Sequence, residues 1–186
     1  CMKVLIVAHP DDEIIWFSPQ DFDLIVIAFL ARHDKPYAEY CRKLAIEAHP
    51  LRDRIVLLGI GESGFWKDGK RQLEFQKSEQ ALYDALENLK KQFEITEIYT
   101  HNAEGEYGHD DHILVNQLVS TLFHEVKIYS PLYNEGINDS ENVITVKNDL
   151  NFYSKVKDIY IKNRAWTWKS DYIPPVNLYY VLNPGI

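Results

Sequence analysis

Residues 3–8 and 23–29 are almost continuous runs of Val, Leu, Ile and Ala with no polar alternation. Such runs mark strands covered on both faces, as in a parallel sheet. Shorter strand-like segments follow at 54–58, 97–100 and 126–129, and 143–146 reads as an edge strand. Between them the apolar positions change to helical spacing. Residues 37–49 have helical composition and stop at Pro50. Across 71–93, Leu82, Leu86, Leu89 and Phe93 form one apolar stripe with Lys and Glu on the other side. Ile113, Leu114, Leu118, Val119 and Leu122 form a second stripe, and 153–163 reads as a final helix. Residues 59–69 form a glycine-rich loop and 134–142 a polar turn. Strands alternating with helices predict an α/β protein: a three-layer α/β/α sandwich on a mainly parallel, Rossmann-like sheet. The stretch 13–21 leaves room for little more than two helical turns before Pro19, which is short for a crossover between parallel strands.

Length and composition narrow the class. A chain of 186 residues with 46% hydrophobic content suits one globular domain over 1–186 whose core needs no staples. A net charge of −8 argues against a nucleic-acid partner, because phosphate-binding surfaces show a basic excess. No apolar run is long enough to cross a membrane. Cys1 and Cys41 make no disulfide framework, and with no signal-peptide pattern the expected compartment is the cytoplasm.

The chemistry gathers where two strands end. The first run gives way to His9-Pro10-Asp11-Asp12-Glu13. Ligands bind at the carboxyl ends of parallel strands, and carboxylates packed on an imidazole need a cation or a solvated edge to compensate them. The segment 97–100 gives way to a second cluster, His101-Asn-Ala-Glu-Gly-Glu-Tyr107-Gly-His109-Asp110-Asp111-His112. A helix starting near Asp110 or Asp111 places His109 and His112, at i and i+3, close enough to serve one centre. Taken singly, each cluster reads as a polar turn capping a helix. Taken together they supply two His and one carboxylate with spare acids and bases, the ligand set of a catalytic zinc with one open position.

Ala8-His9-Pro10-Asp11-Asp12-Glu13 followed by Gly108-His109-Asp110-Asp111-His112 resembles the PIG-L/LmbE-like family of zinc-dependent N-acetylglucosaminyl deacetylases. The second motif carries Asp110 where that family usually has proline. The resemblance implies that His9, Asp12 and His112 hold Zn2+ or another divalent metal and that Asp11 is the general base. It also implies that His109 and Tyr107 polarise the substrate carbonyl while Asp111 orients His109. The substrate it implies is a small N-acetylated sugar or glycoconjugate, which loses acetate to leave a free amine. The short 13–21 segment departs from the family and implies that part of the sugar-binding surface is trimmed.

Further substrate contacts are candidates rather than consequences of the motifs. Arg32 and Lys35, after the second strand, either hold substrate or lie in a solvated loop. Trp66 either stacks on a sugar or covers the core edge. Trp166 and Trp168, with the aromatics of 172–175, either line a pocket or seal one end of the sheet. His49 and His124 read as helix-end residues. Two other functions fit the same ligands: a metal-dependent hydrolase of another amide or ester, and a non-catalytic sugar-binding module. Adjacent Asp11 and Asp12 speak against the module, which needs no general base.

Overall fold

A computed structural model describes residues 1–63, 66–67, 70–71, 74–132, 142–169 and 176–183. In chain order the elements are β1 (Met2–Val7), α1 (Asp12–Ile15), β2 (Leu24–Ala31), α2 (Ala38–Glu47), β3 (Ile55–Gly61), β4 (Trp66–Lys67), β5 (Lys70–Arg71), α3 (Glu74–Gln92), β6 (Ile95–Thr100), α4 (Gly105–Gly108), α5 (Asp110–Leu122), β7 (Lys127–Pro131), β8 (Val143–Lys147), α6 (Leu150–Lys162) and β9 (Val176–Val181). Seven strands form one sheet in the order β3-β2-β1-β6-β7-β9-β8. The first five of that order run parallel; β9 is antiparallel to both β7 and β8.

The apolar runs behave as the pattern predicts. Val4, Ile6 and Ala8 face one side and join Leu82, Leu86, Leu114 and Val119 of α3 and α5. Leu5 and Val7 face the other and join Ala45, Ile46, Val156 and Tyr160 of α2 and α6. Both faces of β1 are therefore covered, which explains the missing polar alternation. Each such fully buried aliphatic side chain contributes roughly 1.5–3 kcal/mol, so the scaffold stands on its core and not on the site. The three-layer α/β/α sandwich with a mainly parallel sheet is the fold observed. Among the described residues no helix is long and apolar enough to cross a membrane.

Several expectations are corrected. The segment read as a helix from 71 begins at Glu74, because Lys70–Arg71 pairs with Trp66–Lys67 as a small hairpin. The last strand, β9, was not expected; it inserts between β7 and β8 and turns the anticipated edge strand into its partner. The last helix starts earlier than expected, at Leu150, where the Asp149 side chain caps the Phe152 amide at 3.0 Å. The expected polar turn falls at 134–142, of which only Asn142 is described, and the aromatics of 172–175 lie outside the described residues.

The order of strands places the site. From β1 the chain moves outward through β2 and β3 on one side, and through β6 and β7 on the other. The carboxyl ends of β1 and β6, joined by the pair Ile6 and Thr100, are thus the point at which the topology reverses. In open α/β sheets that crevice is where ligands bind.

Candidate metal and catalytic site

The first motif folds as a tight turn into α1. Asp11 takes a left-handed conformation (φ 97°), unusual for a residue with a side chain. The Asp12 amide then donates to the His9 carbonyl at 3.2 Å, and the His9 amide donates to Asp12 Oδ2 at 2.8 Å. This turn swings Asp12 back beside His9, which an extended segment could not do. Glu13 holds the turn from behind. Fully buried, its carboxylate accepts from the Asp11 amide at 2.9 Å, from His49 Nε2 at 3.2 Å and from the Tyr160 hydroxyl. His49 therefore does not cap α2; its Nδ1 accepts from the Leu51 amide at 3.0 Å, which leaves Nε2–H to donate to Glu13.

The second motif turns just as sharply. Gly105 (φ 65°) leaves room where a Cβ would come within 2.9 Å of Ile113 Cγ1. Glu106 follows in the same half of φ space (φ 60°), a strained conformation held by its contacts. Its side chain bridges His101 Nδ1 at 3.1 Å and His112 Nδ1 at 2.8 Å. Those imidazoles outweigh the effect of burial and lower the Glu106 pKa to about 2. His109 caps α5 through its ring, Nδ1 accepting from the Asp111 amide at 3.1 Å.

Main-chain donors fix the ring tautomers. An amide can only donate, so His101 Nε2, which receives the Ala8 amide at 3.0 Å, is occupied and offers nothing to a metal. By the same logic His109 Nδ1 carries the lone pair and a neutral ring bears its proton on Nε2. Burial, then the neighbouring His9 and His112, lower His109 to about 3 and so keep that ring neutral. His9 Nε2 donates to Asp111 Oδ2 at 2.7 Å, freeing Nδ1. His112 donates from Nδ1 to Glu106, freeing Nε2, which is buried with no hydrogen-bond partner among the described residues.

The two free nitrogens meet at Asp12. Its Oδ2 lies 3.3 Å from His9 Nδ1 and 3.3 Å from His112 Nε2. Each imidazole is held from behind by a carboxylate, the arrangement that orients metal-binding histidines. Overlapping trios, Asp12 with His101 and His112, and His9 with His109 and His112, have donor atoms within 4.8 Å of one another. With His101 Nε2 occupied, the donor set open to a divalent metal is His9, Asp12 and His112, with His109 beside it. The charge balance agrees: Asp11, Asp12, Glu13, Glu106 and Asp111 are all buried within one neighbourhood. Burial lowers the pKa of His9, but hydrogen bonds to Asp111 and Asp12 outweigh it and bring it up to about 9.

Asp11 sits next to this set. Burial pushes its pKa up to about 8, helped by the charges of Asp12 and Glu13 and opposed by Thr167. Thr167 donates its amide at 3.1 Å and its hydroxyl at 2.9 Å, both to Asp11 Oδ2. Oδ1 accepts no hydrogen bond among the described residues and is the oxygen left for chemistry. Replacing Thr167 with Val should therefore lower kcat by roughly tenfold, the weight of one hydrogen bond to a charged group, with Ser restoring it. Steady-state kinetics at constant metal content would show this; equal rates for Val and Ser variants would remove Thr167 from the site.

The other sequence candidates are distributed as follows. Tyr107 is 50% exposed at the mouth, its ring 5.8 Å from that of His112 and 5.2 Å from that of Trp168. Burial, then the Asp12 and Asp11 charges, raise its pKa, so the hydroxyl remains a donor. Asp111 does not reach His109 through its carboxylate; it holds His9 and accepts from the Ser63 amide at 2.8 Å and from the Ser63 hydroxyl. Trp168 lines the cavity over the site and packs on Trp16, whereas Trp166 packs on the core beside Tyr160. Arg32 lines that cavity but spends its guanidinium on Asp34, at 3.0 and 2.8 Å. Lys35 lines a neighbouring cavity instead. Trp66 lies in β4 and its side chain is outside the described residues.

Residues not anticipated complete the wall. Arg42, only 2% exposed, donates to the Leu30 carbonyl at 2.7 Å and to Glu62 at 3.0 Å. Glu62 also approaches His9 Nε2 at 3.4 Å. The cavity over the ligands measures ≈ 200 Å³ and includes Asp11, Arg42, Glu62 and His109 in its lining.

Comparison with known proteins bears on the fold. The chain is similar to the deacetylase–teicoplanin complex from the teicoplanin biosynthesis pathway, with a TM-score of 0.61 over 96% of this chain and 97% of the other at 13% identity. It is similar also to the zinc-inhibited form of teicoplanin deacetylase Orf2, with a TM-score of 0.57 over 88% and 84% of the two chains at 14% identity. The fold is that of these deacetylases. The resemblance drawn from the two motifs thus holds for the three-dimensional architecture. No family model matches the chain. A curated relative, uncharacterized protein L374 of Acanthamoeba polyphaga mimivirus, is 25% identical over 125 residues, 63% of this chain. The matched part spans 56% of that protein.

Proposed function

We propose that this chain is a divalent-metal-dependent deacetylase that removes the N-acetyl group from an N-acetylglucosamine-type sugar or conjugate, releasing acetate and a free amine. One observation carries the reading. Two buried imidazoles, each held by a carboxylate, aim their free nitrogens at Asp12, while a separate carboxylate and a neutral imidazole donor stand beside them. The shared fold with deacetylases supports it.

When bound by His9 Nδ1, Asp12 and His112 Nε2, a metal supplies Lewis acidity, lowering the pKa of water and polarising the acetamide carbonyl. Asp11 takes the proton of the attacking water at Oδ1 and later returns it to the departing amine. His109 Nε2–H and the Tyr107 hydroxyl donate to the oxygen that gains charge. Glu62, part-exposed at the cavity wall and held by Arg42, accepts from sugar hydroxyls. A binding module would not need a second buried carboxylate beside the ligands, which favours the enzyme.

The test is metal analysis of the purified protein followed by acetate release from a panel of N-acetylglucosamine derivatives, before and after chelation. Acetate that disappears with chelator and returns with zinc is the expected result. A metal-loaded protein that releases none from any glycoside or glycopeptide overturns the proposal. Within that assay Tyr107→Phe should lower kcat by roughly one to three orders of magnitude, as for loss of one oxyanion donor, at unchanged metal content. An unaltered kcat would take Tyr107 out of the mechanism.

A further inference from the structure

The cavity over the metal ligands, ≈ 200 Å³, falls below the roughly 300–1,000 Å³ of sites that enclose a whole small ligand. Arg32, Arg42 and Thr167 of its wall also line a second cavity of ≈ 640 Å³. The two cavities are therefore neighbours.

Its lining differs in kind from the catalytic pocket. The chain carries a net charge of −8, yet this groove is lined by Arg32, Lys35, the buried Arg42 and Arg164 against a single carboxylate, Asp34. Asp34 answers Arg32, and Glu62 answers Arg42. Lys35 and Arg164 form no ion pair among the described residues. Arg164 is held in place at the end of α6 in a left-handed conformation (φ 58°), its amide donating to the Ile161 carbonyl at 3.0 Å. This left-handed residue closes the helix, the Ala165 amide donating back to the Tyr160 carbonyl at 2.8 Å. Aromatic side chains complete the groove: Tyr37 and Tyr40 are 80% and 66% exposed on it, beside Trp166.

We propose that this groove is a subsite for an anionic group, a phosphate or a carboxylate, on the aglycone of the sugar substrate. The proposal rests on the deacetylase reading for the sugar and extends it to what the sugar carries. Lys35 and Arg164 bind the anion, because neither cation is engaged in an ion pair among the described residues and clustered cations in a groove attract an anion. Tyr37, Tyr40 and Trp166 cover the linking atoms. The sugar's acetamide then reaches the metal ligands past Thr167.

Titration calorimetry on metal-loaded Asp11→Asn protein tests this without consuming the ligand. The probes are N-acetylglucosamine 1-phosphate, the carboxymethyl glycoside of N-acetylglucosamine, and the neutral methyl glycoside. At least one anionic probe should bind roughly tenfold or more tightly than the methyl glycoside, the gain expected from a charge-assisted hydrogen bond. The preference should shrink with added salt and fall to about one in the double variant Lys35→Glu, Arg164→Glu. The probe with the larger preference tells phosphate from carboxylate. A methyl glycoside that binds as well as both anions, or a preference untouched by the double variant, overturns the proposal. Undetectable binding of all three overturns it as well. If the anionic preference and its loss are seen while wild-type protein releases acetate from no probe, the groove stands and the deacetylase reading falls.

Discussion

Asp12→Ala or His112→Ala should strip the protein of tightly held metal and abolish turnover while leaving the fold intact. Each removes one of three atoms that meet at a single point: Asp12 Oδ2 lies 3.3 Å from both His9 Nδ1 and His112 Nε2. Compensation from nearby is blocked. His101 stacks on His112 with ring centres 3.8 Å apart, but its Nε2 is taken by the Ala8 amide. Loss of a carboxylate that merely holds a metal-binding histidine costs about 10–100-fold in affinity, so loss of a ligand itself should cost more than that. The fold survives because α3, α5, α2 and α6 are buried against the sheet through residues remote from the site. The measurement is metal content after dialysis against a competing chelator, alongside a thermal unfolding curve. Stoichiometric zinc in either variant would refute the ligand assignment.

Why the ligands were legible in the sequence, and the walls of the site were not, follows from what a linear pattern can carry. His9 and Asp12 sit just beyond the apolar run of β1, which announces a strand covered on both faces, and His112 stands at the start of the helix that follows β6, three residues after His109. A mainly parallel sheet with sites at its carboxyl ends put both motifs at one edge, and the pairing of β1 with β6 then unites them. His101 and Glu106 lay inside the second motif and the same rule could have found them, since His101 directly follows Thr100, the last residue of β6. Arg42 and Thr167 offered no such signal. Arg42 occupies a polar position of an amphipathic helix, where periodicity assigns solvent, and is buried only because its guanidinium reaches Leu30 and Glu62. Thr167 reaches Asp11 across the whole chain, and nothing local records that contact.

The missed strand has a similar cause. In β9, Asn177 and Tyr179 are buried and Leu178 is exposed, so its polarity runs against the expected alternation. Asn177 is buried because its amide donates to Asn148 Oδ1 at 2.7 Å, and Tyr179 because its hydroxyl donates to the Trp16 carbonyl at 2.8 Å. Tertiary hydrogen bonds thus hold polar groups inside a strand that no apolar alternation marked. The hairpin that shortens α3 is likewise a pairing between neighbours rather than a periodicity.

Asp11→Asn should keep full metal and lose roughly two to four orders of magnitude in turnover, the usual weight of a positioned general base. Adjacent carboxylates could exchange roles on paper, and the structure separates them by their surroundings. Asp12 faces His9 and His112, whereas Asp11 lines the cavity over them and is anchored by Thr167, with Oδ2 filled by two donors and Oδ1 open. Asparagine is the informative replacement for two reasons. Its carbonyl oxygen can still accept from Thr167, so the side chain keeps its position. It also tolerates the left-handed backbone (φ 97°) better than other residues with a side chain, so the turn that brings Asp12 to His9 persists. What it lacks is an oxygen able to take a proton where Oδ1 stood. Removing this negative charge weakens the metal's electrostatic environment but deletes no ligand, so zinc measured after chelator dialysis should remain stoichiometric. Asp12→Asn, in contrast, should lose zinc. Zinc loss in Asp11→Asn together with zinc retention in Asp12→Asn would reverse the two roles, making Asp11 the ligand and leaving Asp12 to act as the base.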